Sequence, residues 1–369
     1  MNNLTIHTLT ALPLHNLNRD ESGAPKQVFE GGVTRARLSS QSIKRAARIG
    51  FERTLAETDR SVRSKAHVDD LVQQAVGAAG RDVTDAERKK LERAIRGIVN
   101  KLTQASKGDD AKDDDGKKDT LVWLSAGERA TLVRNAVSQV LTGGADSIDG
   151  IAVGKSTDSL AIAAFGRMFA AAPSLTMEAA VSVGNATTTH EAAIEVDYFT
   201  AVDDLTAAAG ESGAGQLGYQ MYTSGVYYQA ITIDRAQLLR NFDGDLDDPR
   251  IVSELNELVR QLVVALPQGK KSGTAPFAHP SVVLLEEQAY RTAYQFQTPV
   301  QPDEDGGYVT TSAAALAEKA VKARKFDPAA FGASFLTGTD PELVTGLDAT
   351  VGTLSDATAF VVEWIRAGR

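Results

Sequence analysis

A long block of helical periodicity interrupts an otherwise strand-rich chain, and this interruption restricts which folds the chain can adopt. Residues 4–12 alternate polar and apolar side chains, as a half-buried strand does, whereas residues 61–175 read as nearly all helix. Two capping-box sequences, Thr84–Glu87 and Ser125–Glu128, mark helix starts inside that block. β-Branched and aromatic residues return at 179–234. We therefore predict a split α/β domain that carries a helical insertion.

Two further segments complete the secondary-structure prediction. Residues 33–38 read as a short basic strand, and a helix begins at Ser39 or Ser40, because a serine hydroxyl caps an orphan amide of the first turn. Apolar residues at helical spacing are expected to face its core: Ile43, Ala47, Phe51 and Leu55. Residues 203–224 are rich in Gly and Ala and are predicted to project as a loop or hairpin. The segment 107–119, dense in Asp, Lys and Gly, is predicted to be a mobile loop.

Charge and composition restrict the class of protein. The 369 residues carry a net charge of −9, which argues against a protein whose whole surface coats nucleic acid. Any nucleic-acid site must therefore be a local basic patch. The absence of cysteine excludes disulfides and thiolate metal sites. Residues 1–12 read as a strand and lack a basic n-region, so we predict a cytoplasmic protein without a signal peptide.

Signatures of enzymes and metal sites are missing from the sequence. It contains no GxSxG, HExxH, P-loop or GxGxxG motif, and its five histidines lack metal-ligand spacing. The acidic clusters at 203–204 and 243–248 lack the fixed spacing of a cation site, which favours solvated turns. We therefore predict no catalytic residue, no metal and no cofactor.

The stretch 31–48 is the strongest candidate for binding phosphates. Arg35 and Arg37 alternate along an extended segment and so face the same side. The helix that follows places further polar groups along one face, namely Gln41, Lys44 and Arg48, with Arg45 beside them. Its start adds free backbone amides and the hydroxyls of Ser39, Ser40 and Ser42, which suit an anion. A solvated basic face explains the spacing equally well.

Two shorter motifs can each be interpreted either as a contact with phosphate or as a purely structural feature. In residues 165–169, Gly166 allows close backbone approach, Arg167 can bind a phosphate and Met168 is a flexible apolar wedge, although core packing is the simpler explanation. In residues 269–274, Lys270 and Lys271 can contact a phosphate backbone or form an exposed turn, and the sequence favours neither.

These motifs together resemble one known family, the CasC-type backbone subunit of the type I-E CRISPR surveillance complex, Cascade. The matching blocks appear in family order over the first two-thirds of the chain: residues 17–20 (LNRD), 31–37, 39–48, 166–168 (GRM), 188–190 (TTH), 198–205 (YFTAVDDL) and 224–228 (SGVYY). The last third matches weakly. The lysine patch that the family's helical domain can carry has no match, and the nearest cations are Arg88, Lys89, Arg93 and Arg96.

The resemblance implies an α+β fold shaped like a right hand. Its palm is similar to an RNA-recognition-motif (ferredoxin-like) sheet, its fingers are an inserted helical domain, and its thumb is a protruding hairpin. Transferred to this chain, the parts are the palm at residues 1–60, 176–198 and 225–369, the fingers at 61–175 and the thumb at 199–224. This division agrees with the one drawn above from periodicity.

The resemblance also implies a function and a set of site residues. Copies would stack head to tail along a CRISPR guide RNA, kink it periodically and present its bases for pairing with target DNA in antiviral defence, together with other Cascade subunits. Met168 and Leu217 would flank a displaced base. The residues expected to contact RNA are Arg19, Arg35, Arg37, Ser40, Gln41, Lys44, Arg45, Arg48, Arg167, Met168, Leu217, Lys270 and Lys271.

Two alternatives remain open at this point. Hand-shaped subunits of other CRISPR types cut RNA with a metal ion and an aspartate near the thumb, a role that Asp203 or Asp204 could fill. Alternatively, a small-molecule enzyme could bind a phosphorylated ligand at residues 39–44. The first alternative predicts RNA cleavage and the second a closed pocket, whereas the guide-RNA hypothesis predicts an open basic groove.

Overall fold

The computed structural model describes residues 1–103, 121–143, 153–169, 171–202 and 214–368. The predicted loop at 107–119 and the aspartates Asp203 and Asp204 lie outside the described residues. Contacts divide the chain into two compact units. The first unit holds residues 1–50, 182–234 and 256–368, and the second holds residues 51–181 and 235–255.

Strands and helices both occur along the described chain. The strands are β1 (Asn3–His15), β2 (Gln27–Glu30), β3 (Val33–Leu38), β4 (Val62–Ser64), β5 (Val122–Leu124), β6 (Val181–Val183), β7 (Ala186–Thr188), β8 (Glu195–Val202), β9 (Ala214–Asp234), β10 (Val282–Gln288), β11 (Phe331–Thr337) and β12 (Thr350–Val351). The helices are α1 (Ser40–Thr54), α2 (His67–Ala78), α3 (Asp85–Thr103), α4 (Ala126–Leu141), α5 (Leu160–Phe165), α6 (Arg235–Asn241), α7 (Pro249–Val264), α8 (Lys271–Thr274), α9 (Val309–Phe326) and α10 (Leu354–Arg366). Among these described helices, none is long and apolar enough to cross a membrane, and the cytoplasmic location stays a prediction.

A mixed ten-stranded sheet forms the framework of the first unit. Its strand order is β12-β11-β10-β1-β9-β7-β3-β2, and β6 and β8 also pair with β9. β1 pairs antiparallel with both β9 and β10, whereas β12 pairs parallel with β11. The predicted α+β class is therefore confirmed, as a mixed α+β fold with a central mixed sheet.

Helices cover both faces of this sheet. Side chains alternate between faces along a strand, so the neighbouring residues Tyr227 and Tyr228 of β9 enter different cores. Tyr228 packs in a core with Leu316 of α9, and Tyr227 in a core with Ile43 of α1. Burying an aliphatic side chain such as Ile43 stabilises the fold by about 1.5–3 kcal/mol. The alternation along β9 therefore places α1 on the face of the sheet opposite α9.

Helix α1 follows the predicted pattern over most of its length. It begins at Ser40, and its predicted core residues Ile43, Ala47 and Phe51 are buried. Leu55 lies beyond the end of the helix at Thr54 and is only half-buried. The predicted start and apolar face are therefore confirmed, except at the last turn.

Strands β8 and β9 pair antiparallel, and residues 214–224 of the predicted loop or hairpin belong to β9. Tyr198 lies opposite Tyr219, and Thr200 lies opposite Leu217. The residues between the two strands, 203–213, lie outside the described part of the chain. Large apolar side chains remain exposed on this pair of strands, namely Val196, Tyr198, Leu217 and Tyr219.

The second unit is mainly helical, with a core made by α2, α3 and α4. Helix α3 buries an apolar stripe at helical spacing, from Leu91 through Ile95 and Val99 to Leu102. Both predicted capping boxes are present, at Thr84 and at Ser125. The prediction missed a small two-stranded sheet of β4 and β5. Strands of three residues are too short to show the alternation by which a strand is recognised.

Candidate nucleic-acid interface

The candidate surface of the first unit begins at a tight turn after β1 that carries Arg19. The carboxylate of Asp20 accepts hydrogen bonds from the amides of Ser22 and Ala24, at 2.9 and 3.1 Å, and from the Ser22 hydroxyl at 2.7 Å. The bond from the Ser22 side chain is the largest of the causes that lower the pKa of Asp20, so the carboxylate stays ionised. Gly23 takes the left-handed conformation, with φ of 86°, that the turn requires. Arg19 itself is exposed.

Three cations line one open depression beside this turn. The backbone amide of Lys26 donates to the carbonyl of Asn18 at 2.9 Å, and the amide of Arg37 donates to the carbonyl of Lys26 at 2.8 Å. These bonds bring Arg19, Lys26 and Arg37 to the same depression, which Asp20 and Glu21 also line. The Nε of Arg37 is buried and makes no hydrogen bond within the described residues. Lys26 was not among the predicted RNA contacts, because no sequence spacing links it to the other cations.

The start of α1 differs from the prediction of free backbone amides. The Ser39 amide donates to Oδ1 of Asn18 at 2.8 Å, and the Ser40 amide donates to Oδ1 of Asn185 at 2.9 Å. The Ser42 hydroxyl donates to the Ser39 carbonyl at 2.9 Å. Two asparagine side chains thus occupy donors that a phosphate was predicted to use, which corrects that prediction for Ser39 and Ser40.

The polar face of α1 lies opposite its buried face. Gln41 and Arg45 are exposed, while Lys44 and Arg48 are half-buried. Burial lowers the pKa of Lys44, because desolvation disfavours its ammonium form. A phosphate within contact distance would stabilise the charged form and offset that cost.

Residues 269–274, the Gly/Lys loop, lie against the segment that follows β1. The Gly269 amide donates to the Leu17 carbonyl at 3.2 Å, and a Cβ at Gly269 would lie only 2.4 Å from that oxygen. Lys270 adopts a left-handed conformation, and its ammonium donates to Gln220 on β9 at 2.9 Å. The ammonium of Lys271 is exposed and donates to Gln268. The loop therefore has a fixed conformation that packs on Leu17, two residues before Arg19.

Arg35 does not belong to the exposed surface, which corrects its predicted role. Only 1% of the residue is exposed. Its guanidinium donates to four backbone carbonyls: Thr188 at 2.9 Å, Glu30 at 3.2 Å, Gln297 at 3.3 Å, and Phe296. Burial lowers the pKa of Arg35, an effect that the Glu30 carboxylate opposes. Alternation along β3 placed Arg35 and Arg37 on one side, but the chain around residues 296–297 covers Arg35.

Arg167 is likewise a structural residue, and its predicted contact with RNA is corrected. In the second unit it forms a buried two-pronged ion pair with Glu128, with both N–O distances at 2.7 Å. Its guanidinium also lies 5.0 Å from the ring centre of Phe169. Gly166, with φ of 70°, permits close approach of the chain at Met177 and Ala179, not of a ligand. The core-packing interpretation holds here for Arg167 and Phe169.

The two predicted apolar wedges are both exposed. Met168 of the second unit is 73% exposed, although its neighbours in sequence are buried. Leu217 of the first unit is 60% exposed. A contiguous exposed apolar patch commonly marks a contact surface, and Leu217 lies on one with Val196, Tyr198 and Tyr219 of the β8–β9 pair. In the described part of the chain, no group of three or more His, Asp and Glu side chains could hold a metal ion.

Comparison with known proteins assigns the family. The sequence matches the CT1975-like protein family over residues 4–358, nearly the whole chain. The chain belongs to the CT1975-like family. No curated protein matches it significantly. The family assignment corrects the narrower one drawn from the motifs: the matching family is that of CT1975-like proteins, and nothing in the match specifies the CasC subunit of type I-E.

Solved structures share the fold of this CT1975-like protein. A chain described as "CRISPR RNA-guided surveillance complex, pre-nicking" superposes with a TM-score of 0.76 at 24% identity, over 98% of this chain and 100% of that one. A second chain, described as "CRISPR RNA-guided surveillance complex", has a TM-score of 0.65 at 20% identity, over 98% and 99% of the two chains. At these identities the similarity establishes a common fold, from end to end.

Proposed function

We propose that this CT1975-like protein is a non-catalytic subunit of a CRISPR RNA-guided surveillance complex and binds the guide RNA through its phosphates. One observation carries the proposal: Arg19, Lys26 and Arg37 line an open depression on a chain that shares its whole fold with chains of such complexes. Three cations and two carboxylates leave the lining net positive, and an open depression of this charge suits a continuous polyanion better than a short phosphorylated ligand, which a closed pocket would hold.

The arrangement of cations supports contact with several successive phosphates. Arg19 and Lys26 belong to the segment between β1 and β2, Lys44 and Arg45 to α1, and Lys271 to the Gly/Lys loop. All of them lie in the first unit. Contacts of this kind position a nucleic acid without reading its sequence, so the bases remain free to pair with target DNA. The Ser40 hydroxyl, unlike its occupied amide, completes the proposed set of contacts together with Gln41, Arg48 and Lys270.

The predicted assembly and hand-like division remain part of the proposal. Copies of the protein would stack head to tail along the RNA, since a heterologous contact that does not close generates a helical array. Met168 and Leu217 would contact the RNA as apolar wedges, which unstack base steps in other nucleic-acid complexes. The palm, fingers and thumb would have the boundaries given above, and further subunits of the complex would be the other protein partners.

The test is RNA binding by matched charge variants. Wild type, Lys44→Gln/Arg45→Gln and a control, Lys322→Gln/Lys325→Gln, would be titrated with repeat–spacer RNA across a salt series. The control removes two exposed cations from α9, on the opposite face of the sheet. Native mass spectrometry would count the copies bound to each RNA.

We expect several copies per RNA and a log–log salt slope that becomes shallower by about 0.7 for each phosphate contact removed. The α1 variant should bind every spacer sequence more weakly, and the α9 control should bind like wild type. Equal binding by all three proteins would contradict the proposed site. Metal-dependent cleavage of paired RNA in the same samples would instead favour an RNA-cutting subunit.

A further inference from the structure

Residues 15–18 connect separate parts of the proposed RNA surface. The imidazole of His15 contacts Tyr227 of β9, and the Leu17 carbonyl holds the Gly/Lys loop through Gly269. The Asn18 carboxamide caps the Ser39 amide at the start of α1. Asn16, the remaining residue, forms hydrogen bonds to the turn at Gly23 and to strand β9 at Met221. Four consecutive residues therefore tie the end of β1 to a strand, a loop and a helix start.

The side chain of Asn16 makes two hydrogen bonds from a single nitrogen. Its Nδ2 donates to the Gly23 carbonyl at 2.9 Å and to the Met221 carbonyl at 2.8 Å. Gly23 belongs to the turn that carries Arg19, and Met221 lies on β9, opposite Val196 of β8. Asn16 is 0% exposed, so water does not compete for these bonds. Among uncharged side chains, only an amide supplies two donors from one nitrogen, because a hydroxyl, an indole and a neutral imidazole each supply one.

The turn keeps its own conformation without Asn16. Asp20 accepts the amides of Ser22 and Ala24, and the Asp20 amide donates to the Ala24 carbonyl at 2.9 Å, so the bonds that close the turn are local. Asn16 instead links the turn to β9. Its loss should therefore change where the turn lies, and with it the position of Arg19, while the turn itself stays folded.

We propose that Asn16 is a positioning residue that fixes the Arg19 turn against the β8–β9 pair, so that Arg19 meets a phosphate of the RNA at a set place. The inference rests on the proposed function. It assigns Asn16 a role in RNA binding although its side chain is buried. The neighbouring Asn18 would act in the same way on the start of α1.

The chain offers a matched control for this role. Nδ2 of Asn241, in the second unit, also donates to two carbonyls, those of Ala163 and Glu178, at 2.8 and 2.7 Å, and the residue is 3% exposed. Asn16→Leu and Asn241→Leu each remove two such bonds from similarly buried sites, and Asn241→Leu also removes the bond that Oδ1 of Asn241 accepts from Gln237 at 2.8 Å. We expect Asn241→Leu to lose at least as much thermal stability as Asn16→Leu. Only Asn16→Leu should weaken RNA binding, by about tenfold, and make the salt slope shallower by about 0.7, the share of one phosphate contact.

A double-mutant cycle with Arg19→Gln decides whether Asn16 acts through Arg19. In the Arg19→Gln background, Asn16→Leu should change RNA affinity less than about twofold, because coupled residues give non-additive effects. Additive effects would overturn the proposal, and so would equal RNA binding by Asn16→Leu and Asn241→Leu. If Asn16→Leu does not fold, Asn16→Ser, which keeps one donor, replaces it in the same cycle.

The controls separate this inference from the proposed function. If wild type does not bind repeat–spacer RNA, or if Arg19→Gln binds like wild type, the proposed function fails at this site, and the role of Asn16 fails with it. If Arg19→Gln weakens binding while Asn16→Leu behaves like its Asn241 counterpart, only the positioning role is overturned.

Discussion

The carboxylate of Glu128 receives two hydrogen bonds of 2.7 Å from the guanidinium of Arg167 while it also closes the N-terminal capping box of α4. The Ser125 amide donates to the same carboxylate at 2.8 Å. One buried acid thus holds both a helix start and the arginine of the motif that was predicted to bind RNA. Arg167 consequently stabilises the second unit, and its charge is already neutralised.

Replacing Arg167 with methionine should destabilise the protein without changing its affinity for RNA. The change leaves Glu128 buried without its partner, which costs about 3–5 kcal/mol. Urea unfolding would measure the loss. Arg96→Met is the control, because the Arg96–Glu92 pair is exposed and should contribute under about 1 kcal/mol. A folded Arg167→Met protein with weakened RNA binding would show that Arg167 contacts RNA after all.

Arg35→Lys should also lower stability, whereas Arg37→Lys should not. A lysine ammonium cannot span the separate carbonyls that Arg35 bonds, so buried acceptors would remain unpaired at a cost of about 1–3 kcal/mol. Arg37 is half-buried and its replacement keeps a cation at the depression. Thermal unfolding of the two variants checks the difference. Equal stability of both variants would contradict the structural role given to Arg35.

Lowering the pH from about 6.5 to about 4 should decrease the free energy of unfolding, in part because of His15. Burial lowers the pKa of His15 to about 4, so the unfolded chain takes up the proton first as the pH falls. In the neutral imidazole, Nδ1 accepts a hydrogen bond from the Leu17 amide. Protonation of Nδ1 would remove this acceptor and bring two N–H groups face to face. The loss reaches at most about 1.4 kcal/mol per pH unit for one such group and levels off below its folded pKa.

The contribution of His15 can be separated from that of other histidines by comparison with His15→Gln. Burial also lowers the pKa of His67 and of His190, and both remain in the variant. Chemical unfolding at several pH values should show a smaller slope for His15→Gln than for wild type in this window. Identical slopes would mean that His15 does not titrate differently in the folded and unfolded states.

Met168→Ala and Leu217→Ala should leave stability within about 0.5 kcal/mol of wild type, because both side chains are largely exposed. If these residues wedge between bases, chemical probing of bound RNA should lose its periodic reactive nucleotides in the double variant. Phe169→Ala is the contrasting control, since that ring is buried and its removal should cost about 3–5 kcal/mol. An unchanged reactivity pattern in Met168→Ala/Leu217→Ala would remove the wedge role.

Local pattern was sufficient to predict much of the fold. The buried face of α1 at Ile43 and Ala47, the buried stripe of α3 and the capping box at Ser125 all follow from residue spacing within one element. Spacing of this kind reports what a single helix or strand must bury, and burial of apolar area is the dominant favourable term in folding. The split α/β arrangement with a helical insertion was predicted from the same periodicities taken in order along the chain.

Only the tertiary structure decided which cations are available to a ligand. Arg19, Arg35 and Arg37 are equally basic in the sequence, yet Arg35 is covered by carbonyls from distant parts of the chain, while Lys26 joins Arg19 and Arg37 at the depression. The asparagines that occupy the Ser39 and Ser40 amides also come from elsewhere, at positions 18 and 185. The sequence by itself thus determined the elements and the presence of a basic surface. Which charges remain exposed depends on non-local hydrogen bonds and burial, because access to solvent is set by what packs over a side chain and not by its neighbours along the chain.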